Sequence, residues 1–277
     1  MKSERFNVFG IAMDAVNLPT AIASTLAATK SGTNRYVCLT GAHGIVEARR
    51  DPLLARSFRN ALLVLPDGMP TVWIAWWKEF YHVDRVFGPD LMLGVIDESQ
   101  ASGERHFLLG GKPGVAEELR QRLQARYPKA NIVGTYTPPF RRFNSAEEAE
   151  LATLLEECRP DIVWIGIGTP KQELFMSEYV GRLKVPVMVG VGAAFDFHTG
   201  RLKDSPQWVK RAGLQWFHRL VQDPKRLWWR YLRTNTLFLA HAAMALFRLR
   251  KYPILTGDSA VRSEEPASSV AETFLAD

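Results

Sequence analysis

Short runs rich in β-branched residues alternate along this chain with longer amphipathic stretches, and this alternation restricts the fold more than any other sequence feature. The strand candidates are Tyr36–Leu39, Ala61–Leu65, His106–Leu109, Asn131–Thr135, Asp161–Ile165 and Val185–Val189. Between them lie stretches whose apolar residues recur at helical spacing, such as Val115–Tyr127 and Ala146–Glu157. The pattern favours a parallel sheet flanked by helices over a sandwich or a bundle, and therefore predicts the α/β class.

Charge is distributed unevenly along the chain. The net charge is +6, but residues 1–200 have no net charge. Residues 201–252 contain 12 basic and 2 acidic residues, and residues 253–277 contain 1 basic and 5 acidic residues. With 47% hydrophobic residues, the chain can bury one substantial core. We therefore expect a core domain at 1–200, a basic helical C-terminal appendage at 201–252 that faces an anionic partner, and a disordered acidic tail at 253–277.

The sequence disfavours exported and membrane-spanning proteins. The two cysteines, Cys38 and Cys158, lack the spacing of a disulfide framework or a zinc site. No stretch reaches the roughly 18 uncharged apolar residues of a spanning helix, and the first residues show no apolar leader segment. These features predict a cytoplasmic protein.

Glycine and polar residues follow the predicted strands. These segments are Thr40–Gly44, Pro66–Pro70, Gly110–Gly114, Tyr136–Pro139, Gly166–Glu173 and Gly190–Asp196. In open α/β sheets, ligands bind outside the carboxyl ends of the strands, where glycine permits close approach and helix starts offer N–H groups to phosphate. The pattern favours a nucleotide site. No single motif specifies it, because the Walker A pattern is absent and the dinucleotide fingerprint lacks its third glycine.

Five motifs, taken in order and with their spacing, resemble the WecG/TagA/CpsF glycosyltransferases. They are Leu65–Gly68, Gly88–Met92, Leu109–Ala116, Gly168–Glu173 and Gly190–Phe197, and the resemblance covers about residues 7–235. It implies a Rossmann-like fold and inversion at the anomeric carbon of a hexosyl group, with no metal or other cofactor. It also implies a UDP-sugar donor and a saccharide acceptor on polyprenyl diphosphate, in the synthesis of a bacterial cell-surface polysaccharide.

The resemblance assigns the role of catalytic base to Asp67, directly after a buried strand. Such a base takes the proton of the acceptor hydroxyl, and Thr40 and Gln172 correspond to polar positions that line the family's pocket. The residues themselves leave other interpretations open. Asp67 fits a turn residue bonded to its own backbone, Thr40 fits a strand-end cap, and Gln172 fits the first turn of a helix.

Substrate-binding residues are expected in the glycine-rich loops and in the appendage. The loop candidates are Gly110, Gly111, Gly168, Thr169, Lys171 and Asp196, although Asp196 fits equally well as a residue that holds its own loop. The chain has no Asp-x-Asp motif and its six histidines are scattered, so no metal ligand set is evident. Cations must then neutralise the departing diphosphate. Arg219, Arg226 and Arg230 resemble the family's C-terminal arginines, and their alternative is a solvated or lipid-facing charge run.

Three positions depart from the family pattern. His43 stands where many relatives carry Asn, Asp204-Ser205-Pro206 replaces the usual Arg-Ala-Pro, and Gln215 replaces the Glu of Leu-Glu-Trp. These departures favour an exopolysaccharide branch of the family over transfer of N-acetylmannosamine.

The pattern of the appendage predicts an amphipathic helix on a membrane surface. As one helix, a largely basic stripe would contain Arg226, Arg230, Arg233, Leu237, His241, Met244 and Arg248, and the opposite face would contain Trp228, Leu232, Leu239, Ala242, Leu246 and Leu249. The apolar run Leu237–Phe247 is too short to span about 30 Å of hydrocarbon. It suits a helix in the interface at the inner face of the cell membrane, and the alternative is a helix packed on the core or on another subunit.

Other function classes fit this sequence less well than an enzyme does. A non-catalytic nucleotide-binding scaffold at the membrane would keep the same pocket, but the intact Asp67, Thr40 and Gln172 argue against it. The broken glycine fingerprint disfavours an NAD-dependent oxidoreductase. Nucleic acid is not expected as a partner, because the aromatic residues of the basic segment fall beside long aliphatic runs. A homo-oligomer is left open.

Overall fold

The computed structural model describes residues 3–139 and 141–255. Its eight strands within this part are β1 (Arg5–Val8), β2 (Ile11–Asp14), β3 (Arg35–Thr40), β4 (Leu63–Pro66), β5 (Arg105–Gly110), β6 (Asn131–Tyr136), β7 (Ile162–Gly166) and β8 (Val187–Gly190). The helices in the same part are α1 (Leu18–Thr29), α2 (Ala42–Ala48), α3 (Pro52–Asn60), α4 (Met69–Trp77), α5 (Gly88–Ser102), α6 (Val115–Arg126), α7 (Ser145–Cys158), α8 (Lys171–Tyr179), α9 (Ala194–His198), α10 (Gln207–Arg211), α11 (Gln215–Gln222) and α12 (Pro224–Leu246).

Six parallel strands form the central sheet in the order β4-β3-β8-β7-β5-β6. They correspond to the six predicted runs, with boundaries shifted by one or two residues, so the prediction of an α/β fold with a Rossmann-like parallel sheet is confirmed. The antiparallel hairpin of β1 and β2 was not predicted. Its strands are four residues each and turn through Phe9 and Gly10 at positive φ, which is too short a pattern to stand out in the sequence.

The sheet is buried on both faces. Along β3, Tyr36 and Cys38 join one apolar cluster with β1, β2, α2, α3, α7 and α8, while Val37 and Leu39 join a second cluster with α1, α5, α6 and α9. Because side chains of a strand alternate between faces, a continuous apolar run such as Val37–Leu39 can serve both clusters at once. The carboxyl ends of the six strands are thereby held together at one edge.

Capping residues in the sequence set the boundaries of several helices. Asp51 accepts hydrogen bonds from the amides of Leu53 and Leu54 and so caps α3, and Asn144 forms a reciprocal capping box with Glu147 at the start of α7. Gly103 ends α5 with φ of 84°, a conformation that favours glycine.

The segment predicted as one basic helical appendage consists of three helices, α10, α11 and α12. Helix α12 packs on α2, where His43 lies 3.4 Å from the Thr234 hydroxyl, and Phe238 packs edge-on against Phe9 at 5.1 Å between ring centroids. The chain then continues to Leu255, whose amide bonds the Gly10 carbonyl. One side of α12 is therefore packed on the core of the protein. This agrees with the alternative interpretation of the segment as a helix packed on the core.

The outer side of α12 keeps the apolar residues that the membrane interpretation requires. Exposed large hydrophobic residues here are Trp228, Trp229, Leu232, Leu239, Leu246, Phe247 and Leu249, whereas Ala242 packs against the core. The predicted basic stripe is divided, because Leu237 also contacts the core. The domain boundaries stay a prediction, and residues 256–277 of the predicted acidic tail lie outside the described residues. Within the described part, no helix is both long and apolar enough to cross a membrane.

Candidate functional site

The loops after β3 and β4 meet at the carboxyl edge of the sheet and place Asp67 there. The Asp67 amide donates to the Thr40 carbonyl at 3.1 Å, and Gly41 and Gly68 lie against each other. On the other side, the N-terminus of α5 approaches: the Val86 amide donates to the Pro66 carbonyl at 2.8 Å, and the Gly88 amide is near enough to lower the pKa of the Asp67 carboxyl. Asp67 therefore lies at a helix N-terminus, where a negative charge is favoured.

Burial raises the pKa of the Asp67 carboxyl from its usual 3.8 to about 6. The positive charges of Arg85 and Arg219 and the Gly88 amide oppose this rise, and the nearby Asp90 adds to it. The Oδ1 atom is buried and accepts no hydrogen bond from the described residues, while 36% of the side-chain surface is exposed. A carboxyl group of this kind is ionised at neutral pH and retains capacity to accept a proton.

Arg85 is a residue of this site that the sequence motifs do not predict. Its guanidinium lies 4.0 Å from the Asp67 carboxylate, donates to the Asp67 carbonyl at 2.8 Å, hydrogen-bonds the Gln215 side-chain oxygen and stacks on the Phe87 ring at 4.3 Å. The sequence feature that points to Arg85 is its position three residues before the Gly88-Pro89-Asp90 motif. Gln215, noted as a departure from the family pattern, thus contacts the cation beside Asp67.

Of the three predicted arginines, Arg219 is the one that the described contacts connect to Asp67. Arg219 on α11 is close enough to lower the pKa of Asp67, its guanidinium lies 5.8 Å from the Phe197 ring, and its buried Nε has no hydrogen-bond partner within the described part. Arg230 lies on α12 with its guanidinium 5.7 Å from the neighbouring Tyr231 ring. Arg226 is also on α12, and its side chain lies outside the described residues.

A second buried carboxyl group, Glu173, lies at the start of α8 and was likewise not predicted as a site residue. Its Oε1 accepts from the Thr169 hydroxyl at 2.9 Å and from the Gln172 amide at 3.0 Å, while Oε2 has no partner among the described residues. Burial raises the pKa of Glu173 from 4.5 to about 7. The Gln172 oxygen in turn accepts from the Gly192 amide at 3.0 Å, so this side chain joins the loops after β7 and β8.

The predicted glycines divide into two kinds. Gly110 and Gly111 hold strand ends together, because the Gly111 amide donates to the Gly166 carbonyl and a side chain at Gly110 would meet that backbone at 2.6 Å. Gly168, by contrast, has φ of 82° and open space where a Cβ would lie. The first two glycines position the strand ends, and Gly168 lies on the open side of the loop.

The remaining predicted residues occupy different parts of this edge. Thr40 is buried at the end of β3 with its hydroxyl against Gly44, Lys171 lies in the first turn of α8, and Asp196 lies in the first turn of α9. The Asp196 carbonyl accepts a hydrogen bond from the Leu202 amide, and the role of its side chain stays a prediction. In the described part of the chain, no group of three or more His, Cys, Asp or Glu is arranged to hold a metal ion.

Comparisons with known proteins agree with this arrangement. Residues 6–252 match the Glycosyl transferase WecG/TagA/CpsF family. The chain is 29% identical over 184 residues to the N-acetylglucosaminyldiphosphoundecaprenol N-acetyl-beta-D-mannosaminyltransferase of Bacillus spizizenii, covering 66% of this chain and 69% of that protein. It is 28% identical over 170 residues to the enzyme of the same name from Bacillus subtilis, covering 61% and 63%. Because the family match spans nearly the whole described sheet and all three C-terminal helices, this chain belongs to the WecG/TagA/CpsF family of glycosyltransferases.

Proposed function

We propose that this protein transfers a hexosyl group, with inversion, from a UDP-sugar to a saccharide carried on polyprenyl diphosphate. The observation that supports it most is the half-buried Asp67 carboxyl, which lies 4.0 Å from Arg85 and near Arg219 at the carboxyl edge of the sheet, in a member of a glycosyltransferase family. The two named relatives transfer N-acetylmannosamine to a diphosphoundecaprenol-linked sugar, which supports a polyprenyl-linked acceptor here.

In the proposed step, Asp67 is the general base. The acceptor hydroxyl oxygen forms a bond to the anomeric carbon of the donor while the bond from that carbon to the diphosphate oxygen breaks. The hydroxyl proton passes to the Asp67 carboxylate, and UDP leaves with the electron pair. A positioned base of this kind contributes about 10²–10⁴-fold to the rate.

The departing diphosphate requires positive charge, and we assign that role to Arg85 and Arg219. Both lie close enough to influence Asp67, and Arg219 retains a buried N–H group without a partner in the described part. The loops that carry Gly168 and Gly192 are proposed to hold the nucleotide, with Gln172 fixing their separation. Arg226 and Arg230 remain proposed phosphate contacts on α12.

We further propose peripheral attachment to the inner face of the cell membrane through α12. Its outer side combines exposed apolar residues with the exposed cations Lys225 and Arg233, and residues 201–252 carry a net charge of +10. Each basic residue near an anionic surface contributes on the order of 1 kcal/mol. Such attachment would bring the site to an acceptor whose polyprenyl chain is in the bilayer.

The reaction is tested by mass spectrometry after incubation with a panel of UDP-sugars and lipid-linked acceptors, including UDP-N-acetylmannosamine. We expect one donor to yield a lengthened acceptor and UDP, and full activity to persist in EDTA. Donor hydrolysis without transfer, or no product with any pair, would contradict the proposed reaction. Reversible loss of activity in EDTA would contradict the assignment of the diphosphate charge to arginines.

The membrane attachment is tested on the full chain, because removal of residues 201–277 would uncover the core surface that Phe238 covers. We expect Lys225→Gln with Arg233→Gln to weaken binding to vesicles that contain phosphatidylglycerol, and high salt to weaken binding of the parent protein. The matched control is Lys129→Gln with Lys184→Gln, at two exposed positions outside the C-terminal helices. Equal weakening by both pairs would contradict a specific role of α12.

A further inference from the structure

Tryptophan is unusually exposed in this protein. Of its eight tryptophans, all within the described residues, seven are exposed and only Trp164 is buried. Tryptophan is highly buried on average in soluble proteins, so an exposed group of this size marks a surface with a partner. Four of the seven lie on or near α10–α12, and the other three lie on α4.

The three tryptophans of α4 form one face of that helix. Trp73, Trp76 and Trp77 stand at positions i, i+3 and i+4, which are neighbours on a helix surface. The opposite face, with Val72, Ile74 and Ala75, is buried against the sheet domain. The nine residues of α4 include no charged side chain. Tyr81, four residues after Trp77, follows in the next turn with 73% of its surface exposed.

Helix α4 lies next to the C-terminal helices and to the catalytic site. The Trp73 ring lies against Gly213 in the turn between α10 and α11, and Arg85 joins the loop after α4 to Gln215. From α11 the aromatic contacts continue to α12, through Trp216 and Tyr231 at 6.0 Å between centroids. Asp67 precedes α4 by only one residue.

We propose that the aromatic face of α4, with Tyr81, is a second bilayer-contacting surface, built into the sheet domain itself. This inference rests on the proposed membrane-held acceptor. Tryptophan and tyrosine prefer the boundary between headgroups and hydrocarbon, where an apolar ring and a polar N–H or O–H are both accommodated. With α4 and α12 both in contact with lipid, the Asp67 site lies next to the membrane surface, where the sugar of a polyprenyl-linked acceptor is held.

Charge favours a lipid bilayer over a second copy of the chain as the occupant of this surface. The neighbouring segment 201–252 has a net charge of +10, which attracts anionic headgroups. Two copies that covered each other's α4 faces would bring two such segments together. Lys78, whose ammonium lies 5.6 Å from the Trp77 ring, adds a cation at the rim, while the exposed Glu79 and Asp84 lie in the following loop.

The test uses the full chain with Trp77→Gln and Tyr81→Gln. These rings are 53% and 73% exposed, whereas Trp73 packs against Gly213 and Trp76 donates to the Val83 carbonyl, so both of the latter are retained. The control is Leu53→Gln, an exposed apolar residue on α3. Binding is measured by co-sedimentation with vesicles of phosphatidylcholine, with and without phosphatidylglycerol, at about 0.1 M and about 1 M salt.

We expect the double variant to need at least about tenfold more lipid for half-maximal binding, because each ring has on the order of 100 Å² of apolar surface to bury. The loss should persist at about 1 M salt, where charge attraction is largely screened, and Leu53→Gln should bind as the parent does. Unchanged vesicle binding by a folded double variant would overturn the proposal. So would a dimer, seen in sedimentation of the parent, that the double variant alone abolishes without a change in lipid binding.

Transfer to a soluble acceptor analogue separates this inference from the proposed reaction. If no donor supports transfer while the double variant still loses vesicle binding, the proposed reaction fails and the second lipid surface stands. If transfer proceeds normally and vesicle binding is unaffected, the reaction stands and the role of α4 is wrong.

Discussion

Buried polar groups have hydrogen-bond partners at the amino end of the sheet, whereas some of those at the carboxyl end lack them among the described residues. At the amino end, His106 is fully buried, its Nδ1 accepts from the Trp164 ring at 3.2 Å, and its Nε2 lies 2.7 Å from the Ser99 hydroxyl. At the carboxyl end, Asp67 and Glu173 each keep a buried oxygen that accepts no hydrogen bond from the described residues. Both ends contain ionisable groups inside the protein, but only one end satisfies them.

The contrast separates stabilisation from function. A buried polar group without a partner costs roughly 1–3 kcal/mol, so its retention needs an explanation such as a ligand or a reaction. Further atoms without a hydrogen-bond partner in the described part belong to Gln215, Arg219 and Ser205, all in the segment that covers the carboxyl end. We therefore expect substitutions at the carboxyl end to change activity and those at the amino end to change stability.

The largest expected effect is at Asp67. Asp67→Asn should reduce transfer by about 10²–10⁴-fold, since the amide keeps the shape of the side chain but cannot take the proton. Turnover is measured with saturating donor and acceptor, after circular dichroism confirms folding. Asp84→Asn, at an exposed carboxylate in the loop after α4, is the matched control and should stay near parent activity. A folded Asp67→Asn enzyme with near-parent turnover would refute the assignment of the base.

At the opposite end, His106→Leu should lower the free energy of unfolding by about 2 kcal/mol, because the buried Trp164 N–H then loses its acceptor. Urea denaturation measures this change, and kcat of the folded fraction should remain within about twofold of the parent. His218→Leu, at a half-buried position on α11 where the ring bonds the Gln222 side chain, provides a comparison and should cost less stability than His106→Leu, since no buried group loses its partner. A loss of kcat without a loss of stability would break the proposed division between the two ends.

Much of the fold was predictable, because the strands are continuous apolar runs of the kind that a doubly covered parallel sheet requires. The motifs also placed Asp67, Thr40 and Gln172 at the carboxyl edge, since Thr40 ends β3, Asp67 directly follows β4 and Gln172 lies in the first turn of α8. The assignment of Arg219 to the same site came from the family resemblance rather than from any local pattern.

Other features depend on long-range contacts that no local pattern records. Arg85 reaches Asp67 only because the loop after α4 folds back on the sheet edge, and Glu173 becomes unusual only through burial. The division of α12 into a packed side and an outer side depends on the contact of Phe238 with Phe9, which are far apart in sequence. The roles of the site residues and the domain boundaries remain predictions.

Gln215→Glu should change the pH dependence of activity at the carboxyl end, with a smaller effect than Asp67→Asn. A carboxylate at this position would pair with Arg85 and bring negative charge near Asp67, so the pKa of Asp67 should rise further. The acidic limb of the kcat profile, expected near pH 6 in the parent, should then move to higher pH, with a loss of up to about tenfold at pH 6. Gln222→Glu, later on α11, is the control. An unshifted limb would show that Arg85 does not act on Asp67.

The smallest expected effect is a pH dependence of stability with opposite sign at the two ends. Burial raises the pKa of Asp67 from 3.8 to about 6, so the folded state binds this proton more tightly and the contribution of Asp67 to stability falls as pH rises from about 4 to 6. Burial lowers the pKa of His106 from 6.5 to about 4, so the contribution of His106 to stability falls as pH drops from about 6.5 to 4.

Relative to the parent, Asp67→Asn should gain stability as pH rises, by on the order of 1 kcal/mol above pH 6. This value is reduced because the Asp67 side chain is partly exposed. His106→Leu should instead show its largest deficit near neutral pH and a smaller one near pH 4. Urea unfolding of the three proteins between about pH 4 and pH 7.5 measures both differences, and parallel curves for Asp67→Asn and the parent would mean that burial does not shift the proton affinity of Asp67.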